Sequence, residues 1–267
     1  MAKFSFSAAV SADIGPVRYN NEDNFYFAGS WLTGNGMDRS AALTHRADGC
    51  GLYAVFDGMG GEDEGEFASR CAAEELAADA EKLSAAPASE LDGLVNAFLE
   101  RANEAICTRS RAHGSRTGST VALLLCRNDG IYVWNVGDSR VYYQHKGVLR
   151  QLSTDHTEAA RMVRMGELTE EAARTDERKH RLTRHLGIPA EDVVLSPSKA
   201  TPVKPAIGDR LLLCSDGLTD VLTDEAVGRL LDAWLSPAET AKALVQQALE
   251  KGTRDNVTAL VVQIERK

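Results

Sequence analysis

Residues 54–61, AVFDGMGG, run an apolar stretch into an aspartate and then place three glycines within four positions. Alone, Asp57-Gly58 is a tight-turn signal between strands. The pattern recurs, however. LYAVFDG (52–58) and LLLCSDG (211–217) both end an apolar strand on an acid followed by glycine, at Asp57 and Asp216. WNVGDSR (134–140) sets Asp138 just past another strand, GTRDNVT sets Asp255 and Asn256 just before the last, and NNEDNF (20–25) sets Glu22 and Asp23 before the second. If these strand ends share one edge, several carboxylates meet, repel one another and rise in pKa. Hard divalent cations such as Mg²⁺ and Mn²⁺ relieve that repulsion through oxygen ligands. Gly58 allows close backbone approach, and its carbonyl is a further oxygen donor. Two such ions clamp a phosphoryl group and activate a bridging water for in-line attack. Arg18, four residues before Glu22, is spaced to hold the outer phosphate oxygens with its guanidinium.

Around these acids the chain alternates strand and helix signals. Phe4–Val10 alternates as a strand with one buried face would, and Phe25–Phe27 is a short second strand. Residues 29–50 have no sustained period and read as a long loop or insertion. Two helices are expected over Glu64–Leu83 and Glu90–Arg109, separated by Pro87. VALLLC (121–126), IYVWNV (131–136) and VYYQHKGVLRQL (141–152), joined by RNDG and Lys146-Gly147 turns, predict an antiparallel meander. Residues 155–185 are helical in pattern but highly polar. Ser236-Pro237-Ala238-Glu239 is a capping box that opens a helix, and NVTALVVQI (256–264) is a closing strand. With no repeat or linker, one α+β domain is expected, with antiparallel sheets packed against helix pairs.

Composition narrows the function. A formal net charge of −9 over 267 residues lacks the basic footprint of a nucleic-acid binder. No apolar run approaches the ~20 residues of a membrane span. The opening MAKFSFSAAV reads as a strand, not a secretory signal, so a cytoplasmic protein is expected. The five cysteines form no CxxC pair and read as free thiols. Neither they nor HRLTRH (180–185) have zinc-ligand spacing, and no Cys-x5-Arg loop offers a cysteine nucleophile.

VRYNNED, AVFDGMGGEDEGEFAS, RTGST, NVGDSRVY, LSTDHT, LLLCSDGLTD and GTRDNVT together resemble, in order and spacing, the bacterial branch of the metal-dependent type 2C serine/threonine protein phosphatases, from about residue 8 to 264. The resemblance implies a four-layer α-β-β-α sandwich around a central antiparallel β-sandwich. It implies hydrolysis of phosphoserine and phosphothreonine in proteins by metal-activated water, using two core Mn²⁺ or Mg²⁺ ions and a weaker third. Asp57 matches the bridging ligand, Gly58 a carbonyl ligand, Asp216 and Asp255 ligands of the first ion, and Glu22 a water-mediated ligand of the second. Asp138 with Asp216 matches the third site, Arg18 the phosphate-binding arginine, and Asp23 and Asn256 supporting positions. Asp57, Asp216 and Arg18 would then carry the catalysis, and Thr117–Thr120 would pack near the site. Residues 156–185 resemble the flap beside it, against the plainer reading of a solvated helical pair. Phosphoproteins, among them a cognate Ser/Thr kinase and its substrates, are the implied partners of a monomeric enzyme. Met59 departs from the many members that carry a proposed proton-donating histidine at this position. A thioether cannot donate a proton, which leaves a metal-bound water as first choice and His156 as second. The alternative to an enzyme is a pseudophosphatase that only binds phosphoproteins, which predicts a lost ligand. A narrower enzymatic role acts on one phosphorylated regulator, such as an anti-anti-sigma factor.

Overall fold

Strands that are apolar on both faces decide the layering. A computed structural model of the chain describes residues 3–34, 40–60, 64–192 and 194–267. In chain order the strands are β1 (Phe4–Asp13), β2 (Asp23–Phe27), β3 (Ser40–Asp48), β4 (Cys50–Gly60), β5 (Thr117–Ser119), β6 (Val121–Arg127), β7 (Gly130–Val136), β8 (Arg140–His145), β9 (Val148–Gln151), β10 (Ser198–Lys199), β11 (Arg210–Cys214) and β12 (Val257–Arg266). The helices are α1 (Glu64–Ala85), α2 (Leu91–His113), α3 (Glu158–Arg164), α4 (Glu170–Ala173), α5 (Asp216–Thr219), α6 (Asp224–Asp232) and α7 (Pro237–Glu250). A 3₁₀ turn covers Glu177–His180.

Two antiparallel sheets result, one in the order β3-β1-β12-β11-β8-β9 and the other β10-β7-β6-β4-β2, with β5 added to the end of β4. Alternate residues of single strands enter different cores. Tyr53 and Val55 of β4 meet Leu211, Leu213 and Leu260 between the sheets. Ala54 and Phe56, one step along, face the other way onto Leu76 of α1 and Phe98 of α2. In the facing sheet, Leu212 and Val261 turn outward onto Val227 of α6 and Leu244 of α7. The layers are therefore helix, sheet, sheet, helix, the expected sandwich. This explains why LYAVF and LLLC read as continuous apolar runs in antiparallel strands. Side chains alternate between faces, both faces are covered, and each fully buried Leu or Phe contributes about 1.5–3 kcal/mol.

Most of the expected elements are present. The helix pair around Pro87, the hairpin at residues 127–130 and the Lys146-Gly147 turn, with both residues at positive φ, all form. Ser236 and Glu239 make the reciprocal capping box of α7.

The expected loop over 29–50 needs correction, because Ser40–Asp48 is strand β3, paired antiparallel with β1 from Ser5↔Asp48 to Asp13↔Ser40. It lies at a sheet edge and is exposed along most of its length, so burial imposed no alternation that could be read. Residues 35–39 of that stretch lie outside the described residues, as does Gly61. The polar 155–185 segment is helical only in pieces: α3, α4 and the 3₁₀ turn.

Candidate metal centre

The acids converge because of the antiparallel register. Val55 of β4 pairs with Ala122 near the start of β6, and Val121 pairs with Val136 at the end of β7. Asp23 opens β2 directly opposite Asp57. In the other sheet, the end of β11 at Cys214 lies opposite Ala259, near the start of β12. The ends of β4, β7 and β11 and the starts of β2 and β12 thus share one edge, carrying Asp57, Asp138, Asp216, Asp23 and Asp255. With Glu22, Asp57, Asp138, Asp216 and Asp255 line an open cavity of about 880 Å³, with Arg18 and Met59 on its wall.

Backbone contacts lock these segments together. The Gly58 amide donates to the Glu22 carbonyl at 3.0 Å, and the Glu22 amide donates to Asn256 Oδ1 at 2.8 Å. Asn256 Nδ2 donates in turn to the carbonyls of Ile14 and Asn20. The Asn256 side chain thus ties the β1–β2 connection to the start of β12. Gly58 has no room for a side chain, since a Cβ there would fall 2.1 Å from the Gly65 carbonyl oxygen. The Asp57 amide donates to Thr120 Oγ1 at 2.9 Å, and Thr120 in turn contacts Ser139. The RTGST segment therefore packs behind the site, as expected.

Acids outnumber cations at this edge. Asp57 is recessed in the cavity floor, and desolvation followed by the charges of Asp216, Asp23, Asp138 and Asp255 holds its pKa well above the usual carboxylate range. Burial, then Asp216 and Asp155, does the same to Asp138. Burial pushes Asp23 up to about 7 even though Ser215 and Thr258 donate to it at 2.6 and 2.7 Å. Arg18 Nη2 donates to Asp255 Oδ2 at 2.6 Å, and its Nη1 lies 3.9 Å from Glu22. Burial works against the Arg18 cation, but Asp255 and its neighbours outweigh this and raise its pKa. An all-oxygen set of converging carboxylates, in which Asp57 and Asp138 are held above the usual carboxylate range by burial and by their neighbours, beside a glycine that no side chain could replace, fits hard divalent cations.

Two histidines take places that their own surroundings in the chain do not reveal. His156 is buried, its Nδ1 accepts the Gly137 amide at 3.0 Å and its Nε2 meets Ser198 Oγ at 2.8 Å. Burial lowers its pKa to about 4. It is a structural pin and not the proton donor it was weighed as. His180 instead comes from the 3₁₀ turn to the cavity rim, 3.7 Å from both Asp216 and Asp220, while Lys179 binds Asp220 at 3.0 Å. His180, Asp216 and Asp220 bring ligand atoms within 4.8 Å of one another. Asp220 was legible as a second acid one helical turn beyond Asp216. His180 had no local signal, because it approaches from a distant, mostly polar segment.

Residues 36–252 match the family described as protein phosphatase 2C. The chain is 30% identical over 263 residues to the serine/threonine phosphatase stp of Listeria welshimeri, covering 96% of this chain and 95% of that one. It is similar to the crystal structure of the Mycobacterium tuberculosis serine/threonine phosphatase PstP/Ppp, with TM-score 0.80, 30% identity and coverage of 98% and 100%. It is also similar to the PstP catalytic domain in complex with two manganese ions, with TM-score 0.78, 29% identity and coverage of 98% and 99%.

Proposed function

This chain belongs to the protein phosphatase 2C family of metal-dependent serine/threonine phosphatases, and we propose that its acidic edge hydrolyses phosphoserine and phosphothreonine through a binuclear centre. The observation that carries this reading is the gathering of Asp57, Asp216, Asp255, Asp138 and Glu22 around one cavity that also holds Arg18. Asp57 would bridge two Mn²⁺ or Mg²⁺ ions, with the Gly58 carbonyl on one of them. Asp216 and Asp255 would complete the first, and Glu22 would hold the second through water. Asp138, with Asp216, would hold a weaker third ion. When bound, such ions neutralise phosphoryl oxygens and acidify the water that attacks phosphorus.

The chain's own residues do the rest. Arg18 grips the outer phosphate oxygens as a bidentate donor, exchanging Asp255 for the substrate. Asp23, held by Ser215 and Thr258, and Asn256, held by two carbonyls, keep the ligand segments in place. Asp57 lies on the recessed floor, where charges are screened less than at the open surface. Met59 and the pinned His156 leave the departing serine or threonine oxygen to take its proton from water. The whole chain would act as one catalytic domain, with residues 156–185 as a flap over the cavity's side. A cytoplasmic monomer acting on phosphoproteins, including a Ser/Thr kinase of the same cell, is the setting that fits. Among the described residues no helix is long and apolar enough to cross a membrane.

The test is Asp216→Asn, purified and assayed with Mn²⁺ and p-nitrophenyl phosphate. Activity should vanish while the circular dichroism spectrum is unchanged. Full activity would remove the metal assignment.

A further inference from the structure

A second cavity of about 630 Å³ opens sideways from the acidic edge. The two share Asp138, Lys179, His180, Asp216, Asp220 and Val221, so a chain lying over the first can place a neighbouring residue in the second. One wall comes from α3 and α4, the opposite wall from α5 and the start of α6. Ala160, Val163 and Ala173 give the first wall an apolar face, with Arg164 and Arg174 beside them. The volume is in the range of sites that enclose a ligand group.

The charges lining this cavity are unevenly satisfied. Asp155 receives Arg140 at 2.6 Å, Asp220 receives Lys179 at 3.0 Å, and Asp224 accepts from Tyr142 at 2.9 Å. Arg164 and Arg174 are both exposed, and neither has a carboxylate partner among the described residues. Arg164 donates only to the Asp155 carbonyl, at 3.1 Å. Outside the acidic edge, Glu170 is the acid of this lining with no cation paired to it among the described residues. Two guanidiniums without counter-ions, on one wall of a cavity next to a phosphate-cleaving centre, are donors awaiting an anion.

We propose that this side cavity is a substrate subsite, and that Arg164 and Arg174 select a second anionic group of the substrate, a phosphate or a carboxylate a few residues from the phosphoserine or phosphothreonine being cleaved. The inference rests on the phosphatase reading above and adds a determinant of substrate choice to it. The apolar face receives the stem of that side chain and the arginines receive its charge. Two solvent-exposed charge contacts of this kind amount to about fivefold in kcat/KM.

The experiment uses the full chain with Mn²⁺ and three peptides of one sequence. The first carries a single phosphothreonine, the second adds a glutamate nearby and the third adds a second phosphothreonine, with the added group moved through positions on either side. The wild type should favour the anionic peptides about fivefold, the Arg164→Ala/Arg174→Ala double variant should lose that preference, and Arg164→Glu/Arg174→Glu should reverse it. p-Nitrophenyl phosphate is too small to reach the subsite, and its turnover reports an intact centre in each variant. A preference for the doubly phosphorylated peptide alone identifies phosphate as the ligand, and a preference for both peptides identifies any anion. Equal use of all three peptides by the wild type, or a preference that survives both double variants, overturns the proposal and leaves the arginines as solvated surface. Absence of p-nitrophenyl phosphate hydrolysis by the wild type would instead overturn the phosphatase reading itself.

Discussion

The two ends of β11 treat an aspartate in opposite ways. Before it, Asp209 is sealed in the protein and fully answered: Tyr143 donates its hydroxyl, His145 Nδ1 lies 2.7 Å away and the Ala206 amide donates at 3.2 Å. Beyond its other end the carboxylates of the acidic edge face one another. No donor reaches the Asp57 carboxylate among the described residues, and four other acids raise its pKa. An acid that serves the fold is closed by donors. One that is left to repel its neighbours lowers stability until a cation arrives, and such cost is retained at functional sites.

The contrast can be broken most decisively by treating both ends alike. Asp57→Asn should abolish Mn²⁺-dependent phosphatase activity while leaving the metal-free melting temperature equal or higher, since it removes a repelled charge. Asp209→Asn should leave the activity of the folded protein intact but cost about 2–3 kcal/mol in urea unfolding, the loss of charged hydrogen bonds. If Asp57→Asn melts early, or Asp209→Asn does not, the two ends are not different in kind.

A finer test concerns Gly65, at the start of α1, where a Cβ would fall 2.3 Å from a Glu22 carboxylate oxygen. Gly65→Ala should displace that carboxylate and weaken Mn²⁺ binding, measured by electron paramagnetic resonance, roughly tenfold, with activity returning at high Mn²⁺. Unchanged binding would mean that Glu22 does not depend on this contact. Asp138→Ala should lower turnover while two Mn²⁺ ions remain bound, and loss of the core pair would refute its placement at a third site.

The last effect, absent at neutral pH, is one of acid stability. The folded-state pKa of His156 is lowered to about 4 by burial, then by Arg184 and Arg164, against an unfolded value near 6.5. Between those values the unfolded chain binds a proton that the native state refuses, so stability falls as pH drops from about 6.5 toward 4. The loss is about 3 kcal/mol. His156→Gln should flatten the urea-midpoint profile in that window, and an unaltered slope would place the titration elsewhere.

What the sequence made legible follows from where burial and repetition act. Asp57, Asp138, Asp216 and Asp255 could be found because each interrupts or borders an apolar run, and the same interruption occurred several times. α1, α2 and α7 were legible from periodicity and caps. β3 was not, because an exposed edge strand is held by backbone bonds that leave no apolar rhythm. The hydroxyls of Ser215, Thr258 and Ser139 were not, because their role depends on cross-strand neighbours and not on their own surroundings in the chain. The contrast between His156 and His180 has the same cause. Both are polar-segment histidines, and only the packing of the flap segment decides which is buried and which meets the acids.

The pairing of β1 with β12, from Phe4↔Arg266 to Asp13↔Val257, has a consequence for how the protein comes into being. The bond from the Glu22 amide to Asn256 spans 234 residues, so the acidic edge cannot close until the last strand has been made and has found the first. Contacts so distant in sequence are slow to form, because the intervening chain must be ordered before they give any return. A chain stalled before β12 would hold Asp57 and Glu22 without Asp255 or Asn256, and the acidic edge would stay open.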